Sequence, residues 1–463
     1  MRKGATVAVI GGGGFRTPRL LHGLIRHAER LGLAGVTLYD TDPTRAEIMA
    51  VLGRYLARTA GSALGIRAVG SVAEAVADAP FVCVTIRPGG EDGRVEDERV
   101  ALEAGVLGQE TVGPGGFFLA LRTIAAMGHV IREIRAHNDA AWIVNFANPV
   151  GIVSEAVCQE GEDRFVGVCD TPHHLKLELA HYLGADPGSL DIETVGLNHL
   201  GWFLAVERDG RDVLPDLLAE WERVEKSVRP LSFFAADEAR SIRALPTEYV
   251  YLYQHAAAVA GRVRGAVPRG EAVRARSRTF YDQAALLVGT GRDADLLALY
   301  TETLAGRSNS YFQTETEAAL PRGLHADSIL ATESYERVAI DTMLGLAGMD
   351  TASSVILNVP HRGAAGSLLP DNAVMELACR VDRSGIHPLP LKHPIPPAVR
   401  GWIERVKRYE WATVKAAARP LDREAAAAAL SLNPIVPTLA VARSLVERRF
   451  RPTADHPLKD HAS

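Results

Sequence analysis

Cysteine is scarce: Cys83, Cys158, Cys169 and Cys379 are the only four in 463 residues, and no two stand in a CxxC spacing. That excludes a disulfide framework and a zinc ribbon, and it suits a reducing compartment. Long apolar runs are lacking too. No uninterrupted stretch nears the roughly 18 residues of a membrane span, and no basic, apolar, small-residue leader precedes VAVIGGGG at Val7, so the expected location is the cytoplasm, with no membrane partner. Neither sign of charge dominates, with 51 Lys and Arg against 56 Asp and Glu, a formal net charge of -5. This gives no electrostatic reason to expect nucleic acid, although a local basic pocket for one phosphate would not show in the total. Internal repeats are absent as well.

What is present describes a folded chain. A hydrophobic fraction of 47% and a charged fraction of 23% are those of a soluble globular protein, and the length predicts two lobes around a cleft. Through residue 170, short apolar runs (ATVAVI, VTLYD, PFVCVTI, AWIVNF, RFVGVC) alternate with helical patterns such as PTRAEIMAVLGRYLART. Strands without period-two alternation belong in a sheet buried on both faces, which predicts an α/β, doubly wound parallel sheet over 1–170. Beyond it the pattern changes. LNHLGWFLAVERDGRDVL reads as two strands joined at Asp209-Gly210, and the spacing from about Leu217 to Leu346 is helical with breaks near Pro230, Pro246, Pro268 and Pro321. SSVILNV is again a strand, and Ala398 to Phe450 is helical. The expected second lobe is thus a mixed, mainly helical unit over 171–450, followed by a polar tail at 451–463.

Three clusters of residues suggest chemistry. The first strand runs into Gly11, Gly12, Gly13 and Gly14, and Phe15 and Arg16 open a helix at once. Consecutive glycines let the backbone approach a pyrophosphate, whose charge the unpaired N–H groups and dipole of the helix start stabilise. Asp40 ends the second strand, where a carboxylate accepts hydrogen bonds from the adenosine ribose and repels a 2′-phosphate, favouring NAD over NADP; the bland reading is a turn residue before TDP. In the second cluster, Cys169 follows RFVGV at the carboxyl edge of the sheet and His199 follows an apolar stretch in GLNHLGW. A thiolate with an imidazole makes a two-donor metal site open to substrate oxygens. Spacing alone does not separate that from an inert buried cysteine and a hydrogen-bonded core histidine.

The third cluster is IRPGGEDGRVEDERVALEAGVLGQETVGPGGFFLALRTI, followed by NFANPVGIVSEAV. Glycines, arginines and acidic residues crowded after a strand make a rigid polar loop facing a cleft. Arg87, Arg94 and Arg122 suit bidentate binding of an anionic group, against a structural ion-pair role. Asn145 and Asn148 suit sugar hydroxyls, against strand-end turn chemistry.

Taken in order, VAVIGGGGFRTP, the arginine loop with GQETVGPGG, NFANPVG, VCDTP, GLNHLGW, NVPHRGA and DRSGIHPLP resemble the family-4 glycoside hydrolases. That group includes 6-phospho-β-glucosidases, 6-phospho-α-glucosidases and α-galactosidases, and the resemblance covers most of the chain. The sheet lobe is also similar at fold level to lactate and malate dehydrogenases. The family resemblance implies cleavage of O-glycosidic bonds by redox-assisted elimination: NAD+ takes hydride from sugar C3, the ketone acidifies the C2 proton, a base removes it, the C1 group departs, and water adds as the steps reverse. Such enzymes need no pair of carboxylates flanking the bond. The resemblance also implies Mn2+, or another divalent cation, on Cys169 and His199, stabilising the enediolate charge.

For the remaining roles the resemblance implies Asp170 of CDTP as general acid and a tyrosine base in GRSNSYFQTE, where direct alignment puts Phe312 at the family position and Tyr311 beside it. Tyr311 is the candidate base, with Tyr249 of LPTEYVYLY second. Arg87, Arg94 and Asn148 are the candidate substrate contacts. The CDTP sequence is similar to the phospho-α-glucosidase branch, the rest of the chain to proteins grouped as 6-phospho-β-glucosidases. Glu96 stands where phosphosugar members often carry a basic residue, which leaves a non-phosphorylated or otherwise anionic glycoside open. A homodimer or homotetramer is expected. Two other readings remain: a sugar or hydroxy-acid dehydrogenase that releases NADH, and an NAD- and sugar-binding sensor without turnover.

Overall fold

The computed structural model describes residues 4–316, 325–326, 329–330, 335–349, 354–418 and 421–451. Strand β1 (Ala5–Ile10) leads through the glycines into helix α1 (Thr17–Leu31). The alternation continues as β2 (Leu33–Tyr39), α2 (Pro43–Thr59), β3 (Gly65–Ala68), α3 (Val72–Val76), β4 (Phe81–Val84), α4 (Gly90–Glu103), α5 (Pro114–His137), β5 (Trp142–Asn145), α6 (Val150–Gln159), β6 (Phe165–Gly167) and α7 (Thr171–Leu183). These six strands lie parallel in the order β3-β2-β1-β4-β5-β6, the doubly wound arrangement that puts ligands beyond the carboxyl ends of β1 and β4. The predicted burial on both faces holds: Val7, Val9, Cys83 and Val144 face one apolar cluster, while Ala8, Ile10, Val82, Val84 and Ile143 face another.

The second part of the chain contributes β7 (Leu190–Leu197), β8 (Leu200–Arg208), β9 (Arg211–Asp212) and β10 (Leu245–Pro246), which form a small antiparallel sheet. Asp209 and Gly210 make the expected turn with φ of 51° and 77°, but it joins β8 to the two-residue β9. The main hairpin turns earlier, at Asn198-His199 between β7 and β8. Helices follow, including Arg269–Leu287 and Asp293–Asn309. Pro321 lies outside the described residues.

The large sheet does not stop at residue 170. Strands β11 (Val355–Pro360), β12 (Val374–Asp382) and β13 (Gly385–Pro388) extend it antiparallel from the edge of β6, where Asn358 pairs with Gly167. The helix Pro397–Ala417 then packs on α5 and α6. Its Lys407 is fully buried, with Nζ 2.9 Å from Glu155 Oε2 on α6 and 2.5 Å from Glu410 Oε2, and it donates to Val374 O at 2.7 Å. Helix α5 is long and apolar enough to cross a membrane by length and composition, yet half of that window is buried in the fold.

Candidate active site

The glycine loop is built for close approach. Gly11 takes φ 84° where β1 ends, and the N–H groups of Gly11 and Gly12 both donate to Tyr39 O. Gly13 N–H donates to Asp40 Oδ2 at 2.9 Å, and Asp42 N–H donates to Asp40 Oδ1 at 3.0 Å. A Cβ on Gly13 would stand 2.8 Å from Arg45 Cβ and 2.9 Å from Asp40 Cγ, so a side chain does not fit there without displacement. No side chain caps α1, and Thr17 Oγ1 is buried without a hydrogen-bond partner. A cradle of backbone against an uncapped helix start suits a pyrophosphate. Asp40 serves the loop with one hydrogen bond on each oxygen, and each oxygen has a further lone pair for a ribose. Phe15 turns inward, its ring centroid 5.1 Å from those of Phe280 and Tyr300. Tyr281, which the sequence did not flag, donates to Gly13 O at 2.7 Å.

Cys169 and His199 both lie near Tyr249, beyond the carboxyl edge of the sheet. Cys169 stands two residues past β6 and is buried, with hydrogen bonds from the backbone and hydroxyl of Thr171. Burial, then the charges of Glu376 and Asp170, push its thiol pKa well up; a divalent ion would deprotonate such a thiol outright. His199 occupies the β7–β8 turn at φ 62°. Its Nδ1 lies 2.9 Å from Thr111 Oγ1, and its ring stacks on Tyr249 at 3.8 Å. Burial lowers the imidazole pKa to about 4 against the pull of Asp170 and Glu110, giving the neutral ring a metal requires. Tyr249 feels the charge of Cys169 as well, so Cys169 and His199 both lie near this ring. Among the described residues no cluster of three or more His, Cys, Asp or Glu forms a metal site. Cys169 and His199 offer one sulfur and one nitrogen, a pair that would suit a divalent ion with positions left for other oxygens.

The structure brings Asp170 and both tyrosines to the same place. Asp170 starts α7 with Oδ2 3.5 Å from Arg16 Nη1. Burial raises its pKa, but Arg16 and His174 outweigh that and hold the carboxyl below its usual range. Tyr311 donates from its hydroxyl to Glu248 Oε1 at 2.9 Å, and a hydrogen bond joins its hydroxyl to that of Tyr249. Phe312 instead takes φ 58° and stacks on Phe233 at 5.1 Å. It has turned into the core, and Tyr311 is the residue of the pair that faces the site.

The arginine loop divides into roles. Arg94 is 6% exposed, with Nε on Glu98 Oε1 and Nη1 on Glu110 Oε2, both at 2.8 Å. Arg122 grips Asp97 with two nitrogens and donates to Pro88 O. Both are framework. Arg87 reaches Glu110 Oε2 at 2.9 Å through Nη2, while its Nη1 is buried without a hydrogen-bond partner. Glu96 faces away, to Arg449 at 3.0 Å. Asn145 spends its amide on both backbone groups of Ala147, the turn chemistry, and Asn148 stands half-buried before α6.

Besides Tyr281, four participants escaped sequence reasoning. Gln109 and Thr111 lie inside GQETVGPGG, so only the contact with His199 was hidden. Glu248 adjoins Tyr249 in LPTEYVYLY. Glu376 on β12 has no local signal at all; it accepts from Asn358 at 2.9 Å and Asn198 at 3.4 Å, and burial pushes its pKa up to about 7.

A glycine loop at a helix start, with a buried histidine and a tyrosine pair beyond the same sheet edge, defines an α/β enzyme of Rossmann-like architecture. The chain belongs to the family 4 glycosyl hydrolases: residues 6–185 match that family and residues 194–436 match its C-terminal domain. It is 29% identical over 439 residues to the 6-phospho-beta-glucosidase of Escherichia coli, covering 93% of this chain and 91% of that one. It is 27% identical to the phospho-alpha-glucosidase of Clostridium acetobutylicum, covering 96% of each. The 6-phospho-beta-glucosidase of Thermotoga maritima, solved with manganese, NAD+ and glucose-6-phosphate, superimposes with a TM-score of 0.78 at 25% identity, over 96% of this chain and 97% of that one. A lactate dehydrogenase from a deep-sea metagenome, at 12% identity and a TM-score of 0.51 over 90% of this chain and all of that one, shares the fold alone.

Proposed function

We propose that this family 4 glycosyl hydrolase is an NAD- and manganese-dependent 6-phosphoglucosidase. The observation that carries the reading is the stack of His199 on Tyr249, a tyrosine that also feels Cys169 and is hydrogen-bonded to Tyr311. When bound, NAD+ supplies a reversible hydride acceptor for sugar C3, and the divalent ion supplies positive charge against the oxygens at C2 and C3. The chain's own groups do the proton work. Tyr249 has one proton and Tyr311 gives its own to Glu248, so Tyr249 donates to Tyr311 and a short relay runs from the His199 stack to a buried carboxylate. Tyr311 thus serves proton removal at C2 through Tyr249, the tyrosine lying against His199. Asp170 is the group we assign to proton exchange with the leaving oxygen and, as the anion Arg16 favours, to activation of the entering water. Arg87 Nη1 offers a charged donor to a phosphate. The relatives named for both anomers support a mechanism whose decisive steps occur at C3 and C2.

The test is an incubation with NAD+, Mn2+ and a reductant, supplying 6-phospho and plain nitrophenyl glucosides of both anomers. Nitrophenol release from the phosphorylated substrates that needs both NAD+ and metal, without net NADH, is expected. Release indifferent to NAD+ would sink the mechanism, and accumulating NADH with a free sugar would favour a dehydrogenase.

A further inference from the structure

The hydrogen bonds behind His199 have only one consistent proton arrangement. Gln109 Oε1 accepts the backbone N–H groups of Thr111 and Val112, each at 2.7 Å. Two donors that cannot accept fix this atom as the amide oxygen, not the nitrogen. Thr111 Oγ1 lies 3.0 Å from the same oxygen. A carbonyl oxygen cannot donate, so the single hydroxyl proton of Thr111 points at Gln109. Toward His199 Nδ1, 2.9 Å away, the hydroxyl has only lone pairs left. Nδ1 must then carry the ring proton, and Nε2 is left with its lone pair. Turning the ring over would put Cδ2 in place of Nδ1 against Thr111 Oγ1 and forfeit that hydrogen bond.

From this we infer that Thr111, oriented by Gln109, is a positioning residue that locks His199 in the Nδ1–H tautomer and so presents Nε2 as the metal donor. The inference rests on the reading of His199 as a metal ligand, and it assigns GQET a task separate from substrate contact. Hydrogen bonding of a ligand's remote nitrogen fixes its orientation and basicity, and loss of such a partner costs about 10–100-fold in metal affinity. Thr111→Val keeps the shape and removes the acceptor. Thr111→Ser restores it.

The experiment uses the full chain and has two readouts independent of turnover. Mn2+ binding is measured by electron paramagnetic resonance on wild type, Thr111→Val and Thr111→Ser, with NAD+ affinity of each variant as the check on folding. Tautomers are read from the 15N shifts of histidine-labelled protein, with His199→Gln assigning the signal among the 15 histidines. The expected result is an Nδ1–H ring in wild type, Mn2+ affinity about 10–100-fold weaker in Thr111→Val, and recovery in Thr111→Ser. An Nε2–H ring in wild type, or an unchanged Mn2+ constant in Thr111→Val, overturns this inference alone. A wild-type chain that binds no divalent ion overturns the metal reading and this inference with it. Should Thr111→Val lose NAD+ binding as well, Gln109→Met takes its place, since it frees the hydroxyl to turn toward Nδ1; Mn2+ affinity unchanged there overturns the inference.

Discussion

The ring of His199 lies flat on that of Tyr249, with planes 3° from parallel. That contact uses the ring and not the hydroxyl. Tyr249→Phe should therefore keep the stack and Mn2+ affinity while glycoside cleavage falls by about 10²–10⁴-fold, and exchange of the C2 proton with deuterated water should fall with it. Tyr311→Phe should lose activity too, and adding Phe312→Tyr should not rescue it, because that position is packed on Phe233. Rescue would show that the two residues exchange places in solution.

Gly13→Ala puts a methyl group against Arg45 and Asp40 and breaks the geometry of the Gly13–Asp40 hydrogen bond. NAD+ affinity should drop about tenfold or more, equivalent to at least ~1.4 kcal/mol, with Mn2+ affinity intact. Calorimetric titration of the two ligands separates the outcomes; equal loss of both would point to general unfolding of the lobe.

Arg94 and Arg87 should part company. Arg94→Met strands Glu98 in the interior and leaves Glu110 to Arg87 alone, and removing one partner of a buried pair costs about 3–5 kcal/mol, so urea unfolding should show a large loss. Arg87→Met leaves Glu110 paired to Arg94 and should act mainly on KM for the phosphorylated glucoside. If KM is unmoved, the phosphate binds elsewhere.

Glu155 gives a pH dependence away from the site. Burial raises its carboxyl pKa, and Lys407 more than offsets this, holding it below the usual 4.5. A carboxyl depressed on folding contributes stability that is complete above the unfolded pKa and is lost as pH falls through the folded one. The stability gap between wild type and Glu155→Gln should be about 3–5 kcal/mol at neutral pH and should shrink below pH 4.5. A gap of the same size at pH 3 would mean that the loss comes from packing and not from charge.

Much of this was legible in the sequence because it depended on local pattern. Apolar runs without alternation located the parallel strands, and Gly11 to Gly14, Asp40, Cys169 and His199 were findable as residues that close strands. The helix breaks near Pro230, Pro246 and Pro268 held for the same reason. What was not legible depended on partners distant in the chain. Nothing in the spacing says that Thr111 meets His199 or that Asn358 pairs with Gly167. The tyrosine was ambiguous for a related reason: adjacent residues in an irregular turn point in directions only the tertiary fold decides, and Phe312 went inward at a positive φ. Arg94 and Arg122 looked like ligand contacts because the stretch read as a polar loop; residues 90–103 are instead helix α4, which carries Arg94 and the partners Asp97 and Glu98.

The pairing of β11 with β6 also sets an order of manufacture. On the ribosome, the dehydrogenase-like half emerges with the β6 edge, next to Cys169, bare of its neighbour until Asn358 is made about 190 residues later. At roughly 5–20 residues per second that interval is about 10–40 seconds. An unpaired strand edge is a template for the wrong chain, so the stretch beside Cys169 stays unguarded for that interval while the protein is born.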